Sequence, residues 1–404
     1  MTAAPSAAPE GPLAGIRVVE AGQLIAAPFC GQLLGDFGAE VIKIEPPGKG
    51  DPMRQWGQQK NGTSLWFPII GRNKKSVTLD LRLPAGQEIA RRLIAKADIL
   101  IENFRPGTME RWGLGYEPLS AANPGLIMVR VTGYGQSGPY AHRAGFGAIG
   151  EAMGGLRYVV GDPTTPPSRV GITIGDELAA LFAALGACMA LQARHRTGCG
   201  QVVDSAIYEA VLAMMESLVS EYDQTGSIRE RTGSILPGIA PSNVYPTRDG
   251  LHLVMGANQD NVFRRLCEAM GRPELAEDAR YATHAARGAH QGELDALISA
   301  WTATLDADAL ESLMDRHGIP AGRMFRAPEM LADAHFAARQ AIVRVAHRML
   351  GPIAMQNVAP RLSDTPGGVR AAAPELGEHT EEILGGLLGM PGQDIAALRA
   401  GGVI

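Results

Sequence analysis

Short β-branched runs alternate with helix-forming segments from Leu13 to about Gly138, and this alternation limits the fold more than any other feature. The predicted strands are Ile16–Glu20, Val41–Glu45, Ser76–Asp80, Ile99–Glu102 and Leu126–Val131, with helices over about 27–37 and 85–97. Strands that alternate with helices favour a parallel sheet with helices on both faces. Ligands of such sheets bind at the loops beyond the carboxyl ends of the strands, so we expect a site there.

The loops at these strand ends are rich in basic side chains. The cations found there are Lys49, Arg72, Lys74, Arg105 and Arg111. Converging cations suit a phosphate-bearing ligand, and Phe104 is available to stack on a base. The alternative is that each cation is an ordinary solvated charge, which is the usual situation of Lys and Arg at a protein surface.

A second informative stretch is Val170–Asp176, where an acidic residue follows a glycine and opens a long apolar segment. Large apolar residues recur in that segment at helical spacing, with mostly alanine between them: Leu178, Leu181, Phe182, Leu185 and Met189. This composition predicts a helix buried on nearly all sides, with Asp176 at or beside its N-cap. Backbone N–H groups there favour the charged carboxylate. Asp176 is therefore either a helix cap or an ionised carboxylate available for chemistry.

The segment Gly133–Gly138 fits the pattern G-x-G-x-x-G and follows a predicted strand, as a dinucleotide-binding turn does. Pro139 and a broken segment follow it instead of an amphipathic helix, and no strand-end acid stands at the expected offset. A nicotinamide-dependent oxidoreductase would depend on this turn alone, so it is the weaker interpretation.

Length and charge indicate the class of protein. A chain of 404 residues suffices for two or three domains, and a formal charge of −5 gives no reason to expect nucleic acid or a membrane as partner. Four scattered cysteines indicate a reducing compartment and argue against a disulfide framework or a metal site. No uninterrupted apolar span approaches transmembrane length, and the start resembles a disordered tail more than a signal peptide. We expect a cytoplasmic protein.

A change in composition divides the chain near residue 225. The stretch 226–249 is rich in loop-forming glycine and proline, and beyond it Leu251–Met255 and several amphipathic helices predict a smaller α/β unit that ends near Met330. The tail is predicted to contain strands Ala341–Val345 and Gly351–Met355 and helices over about 379–388 and 392–399.

Several motifs in order give a more specific result. The matching stretches are Pro12–Val19, Gly35–Glu45, Asn73–Ser76, Leu79–Asp80, Glu102–Gly107, Gly133–Pro139, Gly175–Asp176, Arg196–Gln201, Leu376–Thr380 and Gly401–Ile404. With these motifs the chain resembles the family III CoA-transferases, which share a fold with the α-methylacyl-CoA racemases. The resemblance covers residues 12–404.

The resemblance implies a Rossmann-like large domain and a smaller α/β domain in an interlocked homodimer. On that pattern, residues 12–224 begin the CoA-binding large domain, residues 225–334 form the small domain, and residues 335–404 return to complete the large domain. The resemblance also implies that Asp176 is the nucleophile. The implied CoA contacts are Ala26, Lys74, Leu79, Asn103, Phe104, Arg105, Arg111, Arg143, Ala144, Gly145 and Phe146. An arginine that meets a CoA phosphate in the family is replaced by Pro46, and Lys49 and Arg72 are the candidates to take over its contact.

The family exchanges one CoA thioester for another through an aspartyl anhydride and an aspartyl-CoA thioester, without a metal or a tightly bound cofactor. A racemase needs an acid/base pair instead. The histidine that follows Arg-Ala-Gly in racemases is Phe146 here, which favours transfer. The pattern is most similar to transferases that use succinyl-CoA and a dicarboxylic acid. Candidates to bind a second carboxylate are Arg229, Arg231 and Arg323.

Overall fold

The computed structural model describes residues 11–404, so the predicted disordered tail lies outside the described residues. The chain divides into two compact units. The first comprises the described part of Met1–Leu156 together with Val170–Asp223 and His335–Ile404, and the second comprises Arg157–Arg169 and Gln224–Ala334.

One segment belongs to a different unit from the one predicted. The predicted large domain includes residues 157–169. The structure groups these residues with the second unit instead. The reason is a set of hydrogen bonds to the segment near residue 231. The Gly161 carbonyl accepts the Gly233 N–H at 3.0 Å, and the Tyr158 carbonyl accepts from the Arg231 guanidinium at 3.1 Å.

The elements are as follows. The strands are β1 (Arg17–Glu20), β2 (Glu40–Glu45), β3 (Gln59–Lys60), β4 (Thr63–Ser64), β5 (Lys74–Thr78), β6 (Ile99–Glu102), β7 (Ile127–Thr132), β8 (Val202–Ala206), β9 (Ser242–Pro246), β10 (His252–Gly256), β11 (Ala321–Arg323), β12 (Ile342–His347) and β13 (Gly351–Gln356). The helices are α1 (Ala26–Asp36), α2 (Phe67–Ile70), α3 (Pro84–Ile94), α4 (Thr108–Arg111), α5 (Tyr116–Ala122), α6 (Gly147–Met153), α7 (Leu156–Val159), α8 (Ile174–Thr197), α9 (Ile207–Leu212), α10 (Leu218–Thr225), α11 (Asp260–Ala269), α12 (His284–Ala289), α13 (Gln291–Thr302), α14 (Ala307–Arg316), α15 (Ala327–Ala332), α16 (Ala334–Ala338) and α17 (Gly392–Ala400). Short 3₁₀ turns cover Pro52–Arg54 and Pro273–Ala276, and a π-helix covers Glu382–Leu387.

The first unit is built on a six-stranded sheet of order β5-β2-β1-β6-β7-β8 in which every neighbouring pair is parallel. The predicted α/β fold with a parallel sheet is confirmed. Strands β6 and β7 are buried at every position, as expected when helices cover both faces. The strand order reverses between β1 and β6, and the crevice beyond the carboxyl ends at such a reversal is where ligands of these sheets bind.

Helix α8 contradicts one prediction, because it is not buried on nearly all sides. Its buried positions are mostly alanines: Ala179, Ala180, Ala183, Ala184, Ala187 and Ala190. Leu181, Leu185 and Met189 are 48%, 49% and 61% exposed. Small alanine side chains let α1 and α9 approach α8 closely and leave the larger side chains outside. Asp176 is the third residue of the helix, and the N-cap is Thr173.

The same helix is long and apolar enough, by length and composition alone, to cross a membrane. This helix is an exception to the prediction that no uninterrupted apolar span approaches transmembrane length. Core helices of globular proteins share these properties, and α8 carries Asp176 and Glu177 in its first turn. We therefore interpret α8 as a core helix with one uncovered face.

The second unit has a three-stranded antiparallel sheet of order β11-β10-β9. Strand β9 lies within the stretch 226–249 that the sequence analysis describes as loop-rich. It forms there because Tyr245 is fully buried in the core of the unit, together with Phe263 and Leu266 of α11. The π-helix and the C-terminal Val403 and Ile404 pack into the core of the first unit, where the Asp80 N–H donates to the Val403 carbonyl at 2.8 Å.

Candidate active site

The loop that follows β1 is held in a rare conformation at the crevice. Leu24 has a φ of 65°, in the left-handed region that residues other than glycine seldom adopt. The Asn103 amide accepts the Gln23 N–H at 2.9 Å and donates to the Gln23 carbonyl at 2.8 Å. On the other side, Asp51 accepts the Leu24 N–H at 3.1 Å. Such a backbone costs about 1–3 kcal/mol, so the loop is held in place by its neighbours.

Asp51 belongs to a buried network of charges beneath that loop. Lys43 Nζ lies 2.8 Å from Glu20 Oε1 and 2.8 Å from Asp51 Oδ2, and Lys74 Nζ lies 2.7 Å from Glu20 Oε2. All four residues are at most 5% exposed. Burial lowers the pKa of the Lys74 ammonium, and Glu20 opposes that effect. Buried charges are tolerated when they are paired and hydrogen-bonded, so both lysines are occupied within the network.

Asp176 lies on the wall of a cavity of about 480 Å³, which we name the nucleophile cavity. Gln23, Ala26 and Phe146 share this wall. Gly147 provides the space for the carboxylate, because a Cβ atom at this position would lie 2.2 Å from Asp176 Oδ2. Lys, Arg and His are absent from the described residues that line the cavity.

Burial, with smaller contributions from the negative charges of Glu151 and Glu177, raises the pKa of Asp176 to about 6. A carboxyl group with this pKa is ionised at neutral pH. Because it is more basic and less hydrated than an exposed carboxylate, it is also a better nucleophile. The cavity and the raised pKa together suit nucleophilic chemistry at Asp176.

A second cavity of about 570 Å³, the outer cavity, adjoins the nucleophile cavity because Gln23 and Phe104 line both. Its wall also includes Lys49, Arg82 and Trp112. The rings of Phe104 and Trp112 meet edge to face with centroids 5.1 Å apart. Arg82 pairs with Asp80 at 2.7 Å, but its side chain remains 78% exposed. Two cations beside aromatic rings suit a ligand that carries phosphates.

A third, smaller cavity of about 150 Å³, the arginine cavity, also adjoins the nucleophile cavity, through Phe104 and Phe146. Arg105 and Arg143 line it. The Arg143 guanidinium lies 3.7 Å from the centre of the Tyr140 ring, a cation–π contact that fixes its orientation. The Asp176 carboxyl group thus lies in a cavity that adjoins two others with basic walls.

Comparison with known proteins shows the family to which this chain belongs. Residues 13–380 match the model of CoA-transferase family III. The chain belongs to this family. The transferase is 61% identical over 397 residues to succinyl-CoA–D-citramalate CoA-transferase of Chloroflexus aurantiacus, covering 98% of this chain and 99% of that protein. It is 43% identical to the beta subunit of succinyl-CoA–L-malate CoA-transferase from the same organism, covering 97% and 98% of the two chains.

A solved structure agrees with this assignment. A CAIB/BAIF family protein from Brucella suis superposes with a TM-score of 0.83 at 34% identity, covering 93% of the transferase and 98% of that chain. The resemblance inferred from the sequence motifs is therefore confirmed, and the transferase is an enzyme of this family.

The structure brings most of the predicted site residues of the transferase to the three adjoining cavities. Those that line at least one of them are Ala26, Leu79, Asn103, Phe104, Arg105, Arg143, Ala144, Gly145, Phe146 and Asp176. Their contacts with CoA stay predictions. Asn103 has an additional structural role, since its amide group holds Gln23.

Three predicted CoA contacts lie elsewhere. Arg72 is 3% exposed; its guanidinium lies 2.6 Å from Asp36 Oδ2 and donates to the Gln356 carbonyl at 2.6 Å. Lys74 is enclosed in the buried charge network. Arg111 is exposed and donates to Thr108 Oγ1 at 2.9 Å. Of the two candidates to replace the family arginine at Pro46, the structure favours Lys49, because Lys49 and Pro46 line the outer cavity together.

Sequence reasoning missed Arg82, Trp112 and Asp51. Arg82 and Trp112 line the outer cavity, and Asp51 holds the loop after β1. Arg82 had a usable signal, since it follows a strand end in the same way as the other basic residues. No local pattern indicated the contact of Asp51 with the loop after β1, because the Leu24 N–H group that its carboxylate accepts lies in a different loop.

Proposed function

We propose that the transferase moves CoA from succinyl-CoA to a hydroxylated dicarboxylic acid such as citramalate or malate. The observation that carries the proposal is Asp176, an ionisable carboxyl group in a cavity that adjoins the outer and arginine cavities. The relatives named for D-citramalate and L-malate transfer support succinyl-CoA as donor and an acceptor of this size.

The chemistry proceeds by exchange of acyl bonds at Asp176. The carboxylate attacks the carbonyl carbon of succinyl-CoA and the C–S bond breaks. CoA leaves as a thiolate, and a mixed anhydride between Asp176 and succinate remains. The thiolate attacks the aspartyl carbonyl, releases succinate and forms an aspartyl-CoA thioester. The acceptor carboxylate then displaces the thiolate to form a second anhydride, and the thiolate attacks its acceptor carbonyl to release the new acyl-CoA and free Asp176. One thioester replaces another, so no external energy source is required.

The three cavities suggest how CoA is placed. The phosphates lie against Lys49 and Arg82 in the outer cavity, since both cations face it and phosphate favours such partners. The pantetheine arm passes Gln23 and Phe104, which line both cavities, and brings the thioester to Asp176. Arg105 and Arg143 supply further positive charge beside the same passage.

Recognition of the second carboxylate of a dicarboxylic acid needs polar groups near Asp176. The described lining of the nucleophile cavity offers neutral ones, including Gln23 and Thr132. Two of the arginines suggested by the sequence are already engaged: Arg323 pairs with Glu311 at 2.6 Å, and Arg231 donates to the Tyr158 carbonyl. We therefore assign the polar ends of the substrates to Gln23 and Thr132.

Racemisation is the second reaction known for the fold, and the site does not favour it. A racemase must remove and return a proton at the α-carbon, which requires a second acid/base group. Phe146 stands where the racemases have a histidine, and histidine is absent from the described lining of the nucleophile cavity. His142 is exposed and does not line it.

We also propose that two copies associate through the uncovered face of α8. Leu181, Phe182, Leu185 and Met189 are 37–61% exposed along one helix. Apolar side chains in such a row are typical of a surface that another chain covers. Mass measurement in solution tests this proposal: a monomer at micromolar concentration contradicts it. A cytoplasmic location remains a prediction.

The test of the proposed function is a panel of CoA donors and carboxylic acids, with new acyl-CoA measured by mass spectrometry. We expect transfer from succinyl-CoA to citramalate or malate, little transfer to monocarboxylic acids, and none with Asp176→Asn. Hydroxylamine added after succinyl-CoA should convert Asp176 to a hydroxamate, whereas Asp315, an exposed aspartate, should stay unmodified. Transfer by a protein that is never modified at Asp176 contradicts the mechanism.

A further inference from the structure

Glu151 is a buried acidic residue beside Asp176, the candidate nucleophile. The reaction proposed above assigns no role to Glu151. It lies on α6 and is 2% exposed. Its carboxylate Oε1 accepts the N–H of Gly175, the residue immediately before Asp176, at 3.3 Å. The charge of Glu151 also raises the pKa of Asp176, after the larger effect of burial.

The beginning of α8 needs an acceptor at this point. The first N–H groups of a helix lack partners within the helix, and the Thr173 side chain makes no capping hydrogen bond. Gly175 is the second residue of α8, so its N–H group is one of these donors. Glu151 satisfies it from a different helix, and a negative charge is favourable at a helix N-terminus.

The packing of α6 against α8 leaves little freedom at this contact. A Cβ atom at Gly175 would lie 2.9 Å from Glu151 Cγ, and one at Gly147 would lie 2.2 Å from Asp176 Oδ2. Gly147 and Glu151 are four residues apart on α6 and therefore face the same side. One face of α6 thus contacts both the nucleophile and the residue before it.

We infer that Glu151 is a positioning residue for Asp176: it anchors the first turn of α8 through Gly175 and keeps a second negative charge beside the nucleophile. This inference rests on the proposed function, since it gives Glu151 its purpose in acyl transfer. A charge held close to Asp176 makes that carboxylate more basic and hence more nucleophilic, while leaving it ionised at neutral pH.

The groups that face Asp176 allow the charge effect to be isolated. Glu151 of α6 and Glu177 of α8 itself are the charged residues that raise the pKa of Asp176, after burial. Cations are absent from the described lining of the nucleophile cavity. Removal of either negative charge should therefore lower the pKa of Asp176, but only Glu151 also holds the Gly175 N–H.

The experiment compares Glu151→Gln, Glu151→Ala and Glu177→Gln in CoA transfer from succinyl-CoA between pH 4.5 and 8. Glutamine keeps a hydrogen-bond acceptor for Gly175 and removes the charge. We expect the acid limb of kcat/KM in Glu151→Gln to move to lower pH by on the order of one unit. Glu151→Ala should also lose kcat by on the order of tenfold or more, because the nucleophile is no longer held in place. Glu177→Gln should shift the acid limb less and keep kcat.

Circular dichroism and the rate of hydroxylamine trapping at Asp176 distinguish altered chemistry from altered folding. If the wild-type protein transfers CoA and both Glu151 variants keep its kcat and its acid limb, the inference is wrong and the proposed function stands. If Glu177→Gln and Glu151→Gln behave alike and Glu151→Ala keeps kcat, Glu151 has no positioning role. A wild-type protein that transfers no CoA overturns the proposed function and the inference together.

Discussion

Replacement of Asp176 by asparagine should abolish CoA transfer and, at the same time, stabilise the folded protein. The two side chains have nearly the same shape, so the space that Gly147 leaves for the carboxylate also accepts the amide. Asparagine cannot form the anhydride, which removes the chemistry. It also carries no charge, which removes the cost of holding an ionised group in a partly buried cavity beside Glu151 and Glu177.

The magnitude follows from the pKa of Asp176. Burial raises this pKa from 3.8 to about 6 in the folded protein. Between these values the folded protein binds more protons than the unfolded chain, so the free energy of unfolding decreases as the pH rises through this range. One pKa unit corresponds to about 1.4 kcal/mol. Above pH 6 the ionised Asp176 therefore lowers the free energy of unfolding by up to about 3 kcal/mol.

Asp176→Asn should consequently raise the free energy of unfolding by up to about 3 kcal/mol at pH 7.5, by about half as much at pH 5, and by almost nothing below pH 3.8. Urea unfolding followed by circular dichroism at these pH values measures the difference, and CoA transfer is assayed on the same samples. Asp315→Asn, at an exposed position of α14, is the matched control and should change neither quantity.

Two results would refute this reasoning. If Asp176→Asn is less stable than the wild-type protein at pH 7.5, the ionised Asp176 carboxylate does not lower the free energy of unfolding. If the variant is more stable by the same amount at pH 5 and at pH 7.5, the stabilisation comes from packing and not from the raised pKa of Asp176. Full transfer activity in the variant would remove Asp176 as nucleophile altogether.

Three further substitutions test the assignments around Asp176. Gly147→Ala should lower kcat by on the order of 10²-fold, because its Cβ atom displaces Asp176, the proposed nucleophile; an unchanged kcat in steady-state assays contradicts the proposed role. Lys49→Ala combined with Arg82→Ala should raise the KM for succinyl-CoA roughly tenfold, less at high salt, with kcat retained; an unchanged KM places the phosphates elsewhere. Arg72→Ala should lower the free energy of unfolding by about 3–5 kcal/mol, because it leaves the buried Asp36 carboxylate without its ion-pair partner. The KM for succinyl-CoA should stay unchanged in the folded fraction, and a raised KM would support Arg72 as a CoA contact.

The parallel sheet was predictable from the sequence because its strands are buried on both faces. Such strands are continuous apolar runs separated by helical segments, and β6 has the predicted bounds Ile99–Glu102. Strand β9 was not predictable in the same way, because glycine and proline dominate the stretch around it. The pairing of β9 with β10 and the burial of Tyr245 in the core of the second unit make it a strand.

The orientation of α8 could not be read from its composition. Large apolar residues and alanines both recur at helical spacing, and hydrophobicity alone predicts that Leu181, Leu185 and Met189 face inward. The core selects the alanines instead, because α1 and α9 lie too close to α8 for larger side chains. Hydropathy identifies a helix as buried, whereas the sizes of its neighbours decide which of its faces is inside.

The basic residues at the strand ends show where sequence reasoning about a binding site stops. Lys49 and Lys74 cannot be distinguished by sequence pattern, since each is a lysine beside a strand end. Successive residues of a strand point to opposite faces. Lys74 on β5 points inward, where it forms an ion pair with Glu20 on β1. Lys49 lies in a loop, forms no ion pair within residues 11–404, and lines the outer cavity. A cation that is buried with its counter-charge, as Lys74 is with Glu20, is not available to a ligand, and this counter-charge comes from a part of the sequence that local pattern does not reach.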